Sequence, residues 1–160
     1  MYREIKRTEK RLSDGDTLEI LKAGDYGVLS TVGEDGTPYG VPLNYVFDQK
    51  KILFHCAPSG HKLDNITHCP QVSFCVVAQA EIVPEKFTTR FQSVIAFGTA
   101  RVLEGAEKKE GLLAIVRRLS PDHVPAGETY IKNAWQKTTV VAIDVAHMTG
   151  KAAPAPRVDD

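Results

Sequence analysis

The sequence has no excess of charge of either sign and no long apolar run. Its 20 lysines and arginines are matched by 20 aspartates and glutamates, so it lacks the basic field that attracts the phosphate backbone of nucleic acids. No apolar run in the chain approaches the roughly 18 residues that a membrane-spanning helix needs. We therefore expect a protein that binds neither nucleic acid nor a membrane.

Cysteine is also scarce. Cys56, Cys69 and Cys75 form a small and odd set, which does not suit a disulfide framework. The N-terminal segment MYREIKRTEKRLS is charged and lacks the apolar region of a secretory signal peptide. These features predict a cytoplasmic protein whose thiols remain reduced.

The usual motifs of metal sites and hydrolases are absent as well. No two cysteines have the close spacing of structural zinc sites, and the adjacent pairs His55-Cys56 and His68-Cys69, with His61 between them, suit one tetrahedral site poorly. The motifs G-x-S-x-G, H-E-x-x-H, G-x-G-x-x-G and the P-loop do not occur. We therefore predict no metal site. The sequence also lacks the motifs that usually indicate a hydrolase or an enzyme that acts on nucleoside triphosphates.

The chain of 160 residues has the length of one domain, which buries roughly 68–70% of the surface of its unfolded chain. We predict that residues 1–150 form this domain. Residues 151–160 (KAAPAPRVDD) contain two prolines and little to bury, so they are predicted to be a C-terminal tail.

Hydrophobic periodicity divides the domain into strands and a few helices. Caps such as Ser13 and apolar i, i+3, i+4, i+7 patterns predict helices over residues 14–23, 61–68 and 106–119, and a short segment near 128–135. β-rich runs predict strands over residues 26–32, 39–47, 52–56, 71–80, 91–104 and 138–145. Such strands, joined mostly by hairpins, predict a mainly β or α+β fold with a closed or nearly closed antiparallel barrel.

Three local features refine this pattern. Asp35-Gly36 predicts a hairpin turn between the first two strands. Pro42 lacks a donor for the strand ladder, so its strand is at an edge there or its backbone turns towards something other than a strand. Gly98 within a long strand predicts a bend or bulge.

The stretch FHCAPSGHK at residues 54–62 carries the strongest chemical signal. A strand ends, Ser59-Gly60 permits close backbone approach, and a helix begins with His61 and Lys62. Helix N-termini attract anions and repel cations, so a lysine there fits best when a phosphate is bound. In the alternative interpretation Ser59 caps the helix and Lys62 points into water. Spacing alone does not decide between the two.

Trp135, the single tryptophan, lies just before the last predicted strand. It is either packed as a cap on the barrel or placed as a wall against an aromatic ligand. Both interpretations remain open at this point.

Four segments together carry a family resemblance: LSTVGEDGTPYGVPLNYVF at residues 29–47, ILFHCAPSGHKLDNI at 52–66, FQSVIAFGTARVLE at 91–104 and WQKTTVVAIDVAHMTGK at 135–151. In these segments the chain resembles the FMN-binding split barrels of the pyridoxamine 5′-phosphate oxidase-like family, and within that family the nitroimidazole-resistance (Nim-type) flavoproteins. The resemblance implies a six-stranded antiparallel Greek-key split barrel with peripheral helices. It also implies an intertwined homodimer with FMN at the interface.

The resemblance further implies a set of cofactor-binding residues, which are Val41, Pro42, Leu43, His55, Ala57, His61, Lys62, Asn65, Gln92, Ser93, Val94 and Trp135. The first three are expected to lie against the isoalloxazine ring and to offer main-chain groups to its polar edge. His61 and Lys62 are expected to hold the phosphate, with Asn65 one turn further on.

The remaining members of the set are expected to complete the pocket around the ring. His55 and Ala57 would line the strand end near the ring and the ribityl chain. The segment 92–94 would come from the other subunit or from the facing strand, and Trp135 would close the ring side. The apolar side chains at positions 94, 96 and 97 are expected to add more apolar surface than the core of one chain can bury, which favours a dimer.

Two positions depart from the family pattern. His61 stands where relatives usually have arginine, and histidine donates fewer hydrogen bonds and is neutral in alkaline solution, so weaker cofactor binding is expected. Phe91 stands where Nim-type relatives usually have tyrosine. The arginines that bind substrate phosphate in a true pyridoxamine phosphate oxidase are not recognisable, so oxidation of vitamin B6 is not expected.

The resulting hypothesis is an FMN-dependent oxidoreductase that reduces a small aromatic acceptor such as a nitroimidazole or a quinone. His55 is the one candidate for a catalytic side chain. A second hypothesis is a non-catalytic protein that stores or senses flavin or haem, with His55 or His61 as an axial ligand. A third is an interaction domain with an empty barrel. The sequence names neither the electron donor nor the physiological substrate.

Overall fold

Alternating burial builds the first hairpin of a seven-stranded antiparallel sheet. In the computed structural model, which describes residues 2–153, strand β1 (Tyr26–Val32) alternates exposed and buried side chains. It pairs with β2 (Pro38–Asn44) through the predicted turn, where Gly36 has a φ of +83°. The Asp35 carboxylate accepts hydrogen bonds from the backbone and the hydroxyl of Thr37, and these bonds lower the pKa of Asp35.

Five further strands, of which the last three are long, complete the curled sheet of a split-barrel-like fold. Along the sheet the order is β2-β1-β5-β6-β7-β4-β3. The remaining strands are β3 (Val46–Asp48), β4 (Lys51–Cys56), β5 (Gln71–Val83), β6 (Thr88–Leu103) and β7 (Thr139–Ala153). Four α-helices accompany them within the described residues: α1 (Asp14–Ala23), α2 (His61–His68), α3 (Gly105–Leu119) and α4 (Val124–Ala134). None of these helices is long and apolar enough to cross a membrane.

The sheet separates two apolar layers, because neighbouring residues of a strand face opposite ways. On β4, Ile52 and Phe54 join the inner core, whereas Leu53 joins the layer beneath α3 and α4. On β7, Val141 likewise faces the inner core and Val140 the outer layer. The inner core holds the barrel together, and the outer layer attaches the last two helices.

One predicted strand divides in two, so the sheet has seven strands instead of the predicted six. The run 39–47 breaks at Tyr45, which is fully buried. Its backbone N–H donates to the carbonyl of Asp25, and its phenol donates to the carbonyl of Leu21 at 2.6 Å. Burial raises the pKa of this phenol. The side chain thus turns towards α1 and ends β2.

Pro42 lies in β2, which is an edge strand of the sheet. Its missing N–H group is therefore tolerated there, which is the first of the two interpretations of this proline.

At the other end of the chain, β7 continues past the predicted domain end at residue 150, and Ala153 pairs with Phe91. Residues 154–160 lie outside the described part of the chain.

Candidate functional site

The N-terminus of α2 has no side-chain cap. Gly60 is the N-cap residue, with a φ of +136°, and no side chain hydrogen-bonds at this cap. The Gly60 carbonyl accepts from the backbone N–H groups of Leu63 and Asp64 at 2.8 and 3.2 Å. The alternative in which Ser59 caps the helix is therefore wrong. The first two amides of the helix, those of His61 and Lys62, precede these bonds and point towards whatever lies before the helix, which is the geometry of an anion site.

Lys62, in the first turn of α2, exerts its charge on the thiol of Cys56, at the end of β4. Its side chain is half-buried. Burial raises the pKa of the Cys56 thiol, and the positive charge of Lys62 acts in the opposite direction. The Lys62 side chain is therefore not fully in water, and its charge reaches the end of β4. Because the thiol stays protonated, Cys56 does not neutralise Lys62.

His61 packs against Tyr39 on the edge strand β2. The two ring centroids are 4.0 Å apart, and the ring planes are inclined by 32°. His61 also contributes, as the smallest cause, to the lowered pKa of Asp35 in the β1–β2 turn. The edge strand and its turn therefore form one wall beside the start of α2. The sequence interpretation missed Tyr39, although its position two residues before Val41 is a sign that the two share a face.

The same face of β2 presents an apolar surface. Tyr39, Val41 and Leu43 alternate with exposed residues and are all half-buried, and Val41 and Leu43 pack against the inner core. Pro42, which the resemblance grouped with them, lies on the other, exposed face. A flat ligand against this face would contact Val41 and Leu43 through side chains, and Pro42 only through its main chain.

Asn65 fixes the position of α2. Its side chain is 4% exposed, and its amide nitrogen donates to the Thr31 hydroxyl at 2.9 Å. That hydroxyl donates in turn to the Tyr39 carbonyl at 3.4 Å. The chain of bonds joins α2 to β1 and β2, so one donor of Asn65 is already used for structure. A role for Asn65 at a phosphate stays a prediction.

The remaining predicted residues lie in two other places. His55 is exposed on β4, opposite Val140, and Ala57 is exposed in the following loop. Segment 92–94 lies on β6, which β5 separates from β1. Val94 and Ala96 are 0% and 1% exposed in the inner core, so the prediction that they exceed the needs of one core is wrong.

Trp135 packs on the outer layer of the sheet, beside α3. The Nζ atom of Lys108 lies 4.4 Å from the centroid of the indole ring and donates to the Trp135 carbonyl at 2.8 Å. The ring also lines a cleft between α3 and α4. Its predicted role beside a flavin ring stays a prediction. Within residues 2–153, no three His, Cys, Asp or Glu side chains are grouped so that they could hold a metal ion.

Comparison with known proteins identifies the family. A family model described as pyridoxamine 5′-phosphate oxidase matches residues 13–152. Among solved structures, a proposed 5-nitroimidazole antibiotic resistance protein from Bacteroides thetaiotaomicron has a TM-score of 0.73 at 21% identity, over 88% of this chain and 85% of that one.

Two further structures share the fold. A FAD- and haem-binding protein from Mycobacterium smegmatis has a TM-score of 0.80 at 17% identity, over 94% of this chain and 77% of that one. A flavocytochrome from Azotobacter vinelandii has a TM-score of 0.78 at 21% identity, over 98% of this chain and 76% of that one. The likeness to all three is one of fold. Because the family model spans nearly all of the described chain, the protein belongs to the pyridoxamine 5′-phosphate oxidase family.

Proposed function

We propose that the chain binds FMN and uses it to reduce a small aromatic acceptor such as a nitroimidazole or a quinone. The observation that carries this proposal is the uncapped start of α2, with His61 and Lys62 in its first turn, beside the apolar face of β2. A phosphate ester fits the first feature and a flat heterocycle fits the second. Membership of the family supports a molecule that combines the two.

The chemistry of α2 suits the phosphate of FMN. A cation in the first turn of a helix opposes the helix dipole at a cost of about 0.3–1 kcal/mol. A bound phosphate dianion would make the position of Lys62 favourable, because it accepts hydrogen bonds from the free amides and pairs with the ammonium group. His61 adds a second donor, and Asn65 holds the helix in place through Thr31.

The apolar face of β2 suits the ring system. Val41 and Leu43 offer side chains for stacking, and an edge strand leaves main-chain groups free to hydrogen-bond with a polar ring edge. Flavin bound here would supply the electron transfer, and the chain would bind and orient it. The proposed 5-nitroimidazole resistance protein and the FAD- and haem-binding protein that share this fold support the same conclusion.

The visible spectrum of the purified protein tests this proposal most directly. Flavin absorption bands that remain after gel filtration, and flavin identified as FMN after release, are the expected result. A Soret band would instead favour the alternative of a haem-binding storage or sensing protein, with exposed His55 or His61 as axial ligand. Two relatives described as haem or cytochrome proteins give that alternative its support. A protein that neither retains a chromophore nor binds one when it is added would contradict both the flavin and the haem proposals.

We also propose that the active form is a homodimer with FMN at the interface. The arm formed by the end of β5 and the start of β6 exposes Val77, Ile82 and Phe87 to 59%, 76% and 98%. Such large apolar side chains favour contact with a second copy. Segment 92–94, two strands away from β1 in one chain, would then reach the cofactor from the partner.

Light scattering is expected to give a dimer mass, and Ile82→Lys is expected to shift the protein towards monomer because a charge would be desolvated in the interface. Val102→Lys is the matched control, since Val102 is also exposed, at 47%, but lies outside the arm. A monomer mass for the FMN-loaded protein would contradict the dimer, and equal effects of the two substitutions would contradict the arm as its interface.

His61→Ala is expected to weaken FMN binding by roughly fivefold and riboflavin binding by much less, because only FMN carries the phosphate to which a ring N–H of His61 would donate. Loss of the ring contact with Tyr39 affects both flavins alike, so the ratio of the two affinities is the proper measure. Equal losses for both flavins would remove His61 from the phosphate site.

His55→Ala is expected to slow electron transfer by much less than the roughly 10²–10⁴-fold loss typical of a missing general acid. The exposed imidazole of His55 lies at the end of β4, and transfer depends mainly on stacking and flavin potential. The measurement is single-turnover reoxidation of dithionite-reduced protein by a nitroimidazole, at equal FMN occupancy of wild type and variant. A thousandfold loss would make His55 a proton donor.

A further inference from the structure

A cavity lies between the last two helices, and no residue of α2 lines it. It has a volume of about 620 Å³, within the range of roughly 300–1,000 Å³ that is usual for small-molecule sites. Leu113 on α3, Ile131 on α4 and Trp135 just after α4 supply its apolar lining. Leu113 and Ile131 are each 7% exposed, so the cleft has a firm apolar floor. We call it the α3–α4 cleft.

The charged residues around this cleft are mostly basic. Lys109 from α3 and Lys132 from α4 line it, together with one acid, Glu128. Lys108 adds a third ammonium group, which lies over the Trp135 ring. Three positive charges against one negative charge give the cleft a local excess of positive charge, although the chain as a whole has no net charge.

Close contact between the two helices forms the cleft in advance. A Cβ atom on Gly127 would lie 2.5 Å from Cγ1 of Val116, so α4 approaches α3 as closely as a glycine permits. The bond from Lys108 to the Trp135 carbonyl fixes the segment after α4 to α3. A ligand therefore meets an aromatic and apolar surface that is already in place, which lowers the entropy cost of binding.

From this arrangement we propose that the α3–α4 cleft binds an aromatic carboxylate, at a site separate from that of FMN. The flat ring of the ligand packs against Trp135 and the apolar floor, where an aromatic pair contributes beyond its buried area. The carboxylate pairs with Lys109 and Lys132. This site goes beyond the proposed flavin chemistry and does not depend on it.

The single tryptophan allows a direct test on the whole chain. Trp135 gives one indole N–H resonance in a ¹⁵N-labelled sample, and phenylacetate is expected to shift it saturably. Cyclohexylacetate keeps the charge without the aromatic ring and is expected to bind roughly two- to tenfold more weakly. 2-Phenylethanol keeps the ring without the charge and is expected to bind roughly fivefold more weakly.

Substitutions then separate this site from an unspecific contact. Lys109→Gln and Lys132→Gln are each expected to weaken phenylacetate binding by roughly two- to fivefold. Lys137→Gln, an exposed lysine near Trp135 that does not line the cleft, is the matched control and is expected to have no effect. Saturating FMN is expected to leave the phenylacetate affinity unchanged.

Four results would overturn the proposal. The first is that phenylacetate gives no saturable shift, and the second is that either analogue binds as tightly as phenylacetate. The third is that Lys109→Gln and Lys132→Gln bind phenylacetate as tightly as Lys137→Gln does. The fourth is that FMN and phenylacetate compete. The last result would make the cleft part of the flavin site. Because the titration is also done without flavin, a failure to bind FMN does not affect the outcome.

Discussion

Lys62→Ala is expected to weaken FMN binding by roughly ten- to 150-fold and to leave riboflavin binding nearly unchanged. Only FMN carries the phosphate that the first turn of α2 and the ammonium group of Lys62 would hold. The half-buried position of Lys62 keeps the charge close to the protein, where screening by water is weaker than at an exposed lysine.

Fluorescence quenching of each flavin by flavin-free protein gives both affinities. Lys51→Ala is the matched control, because Lys51 is also a half-buried lysine and begins the strand that ends beside Lys62. Lys51 forms an ion pair with Glu107 on α3, at 4.0 Å, so its loss is expected to leave both flavins unaffected. Equal losses of FMN and riboflavin affinity in Lys62→Ala would contradict a phosphate role.

Local sequence signals predicted the elements that depend on local chemistry. The bounds of α1, β1 and α2 agree with prediction, since caps and alternating burial act within a few residues. Ser13 accepts from the backbone N–H of Asp16 at 3.1 Å, as a capping serine should. The Asp35-Gly36 turn was equally recognisable. These elements needed no information from distant parts of the chain.

Features set by distant contacts were not predictable in the same way. Tyr45 ends β2 because its phenol reaches the carbonyl of Leu21, 24 residues away. The extra length of β5 to β7 comes from pairing with one another, which no single segment encodes. In the candidate site, the contact of His61 with Tyr39 and the bond of Asn65 to Thr31 likewise join separate elements. The sequence could therefore indicate the residue types of the candidate phosphate site but not the edge strand and turn beside it.

Gly98 is the exception, because a local signal there predicted a long-range feature. The register of β6 against β7 shifts between Phe97 and Gly98, so the expected bulge is present. A Cβ atom on Gly98 would clash with the backbone oxygen of Asp144 and would lie 2.9 Å from Cγ2 of Ile143. Both residues belong to β7, whose other edge pairs with β4 at Lys51 and Ile52. The obstructing backbone is thus held on both sides.

We expect Gly98→Ala to lower the free energy of unfolding by about 3 kcal/mol, since a single methyl group must push apart paired strands in the centre of the sheet. Gly40→Ala is the matched control within a strand, because its added Cβ would meet only Cγ1 of Val28, at an ordinary 3.6 Å. We expect that variant to stay within about 1 kcal/mol of wild type. Urea unfolding at one fixed protein concentration measures both, so that any dimerisation affects them equally. Equal stability of the two variants would mean that β7 can move away from Gly98, and that the bulge does not hold β6 and β7 in register.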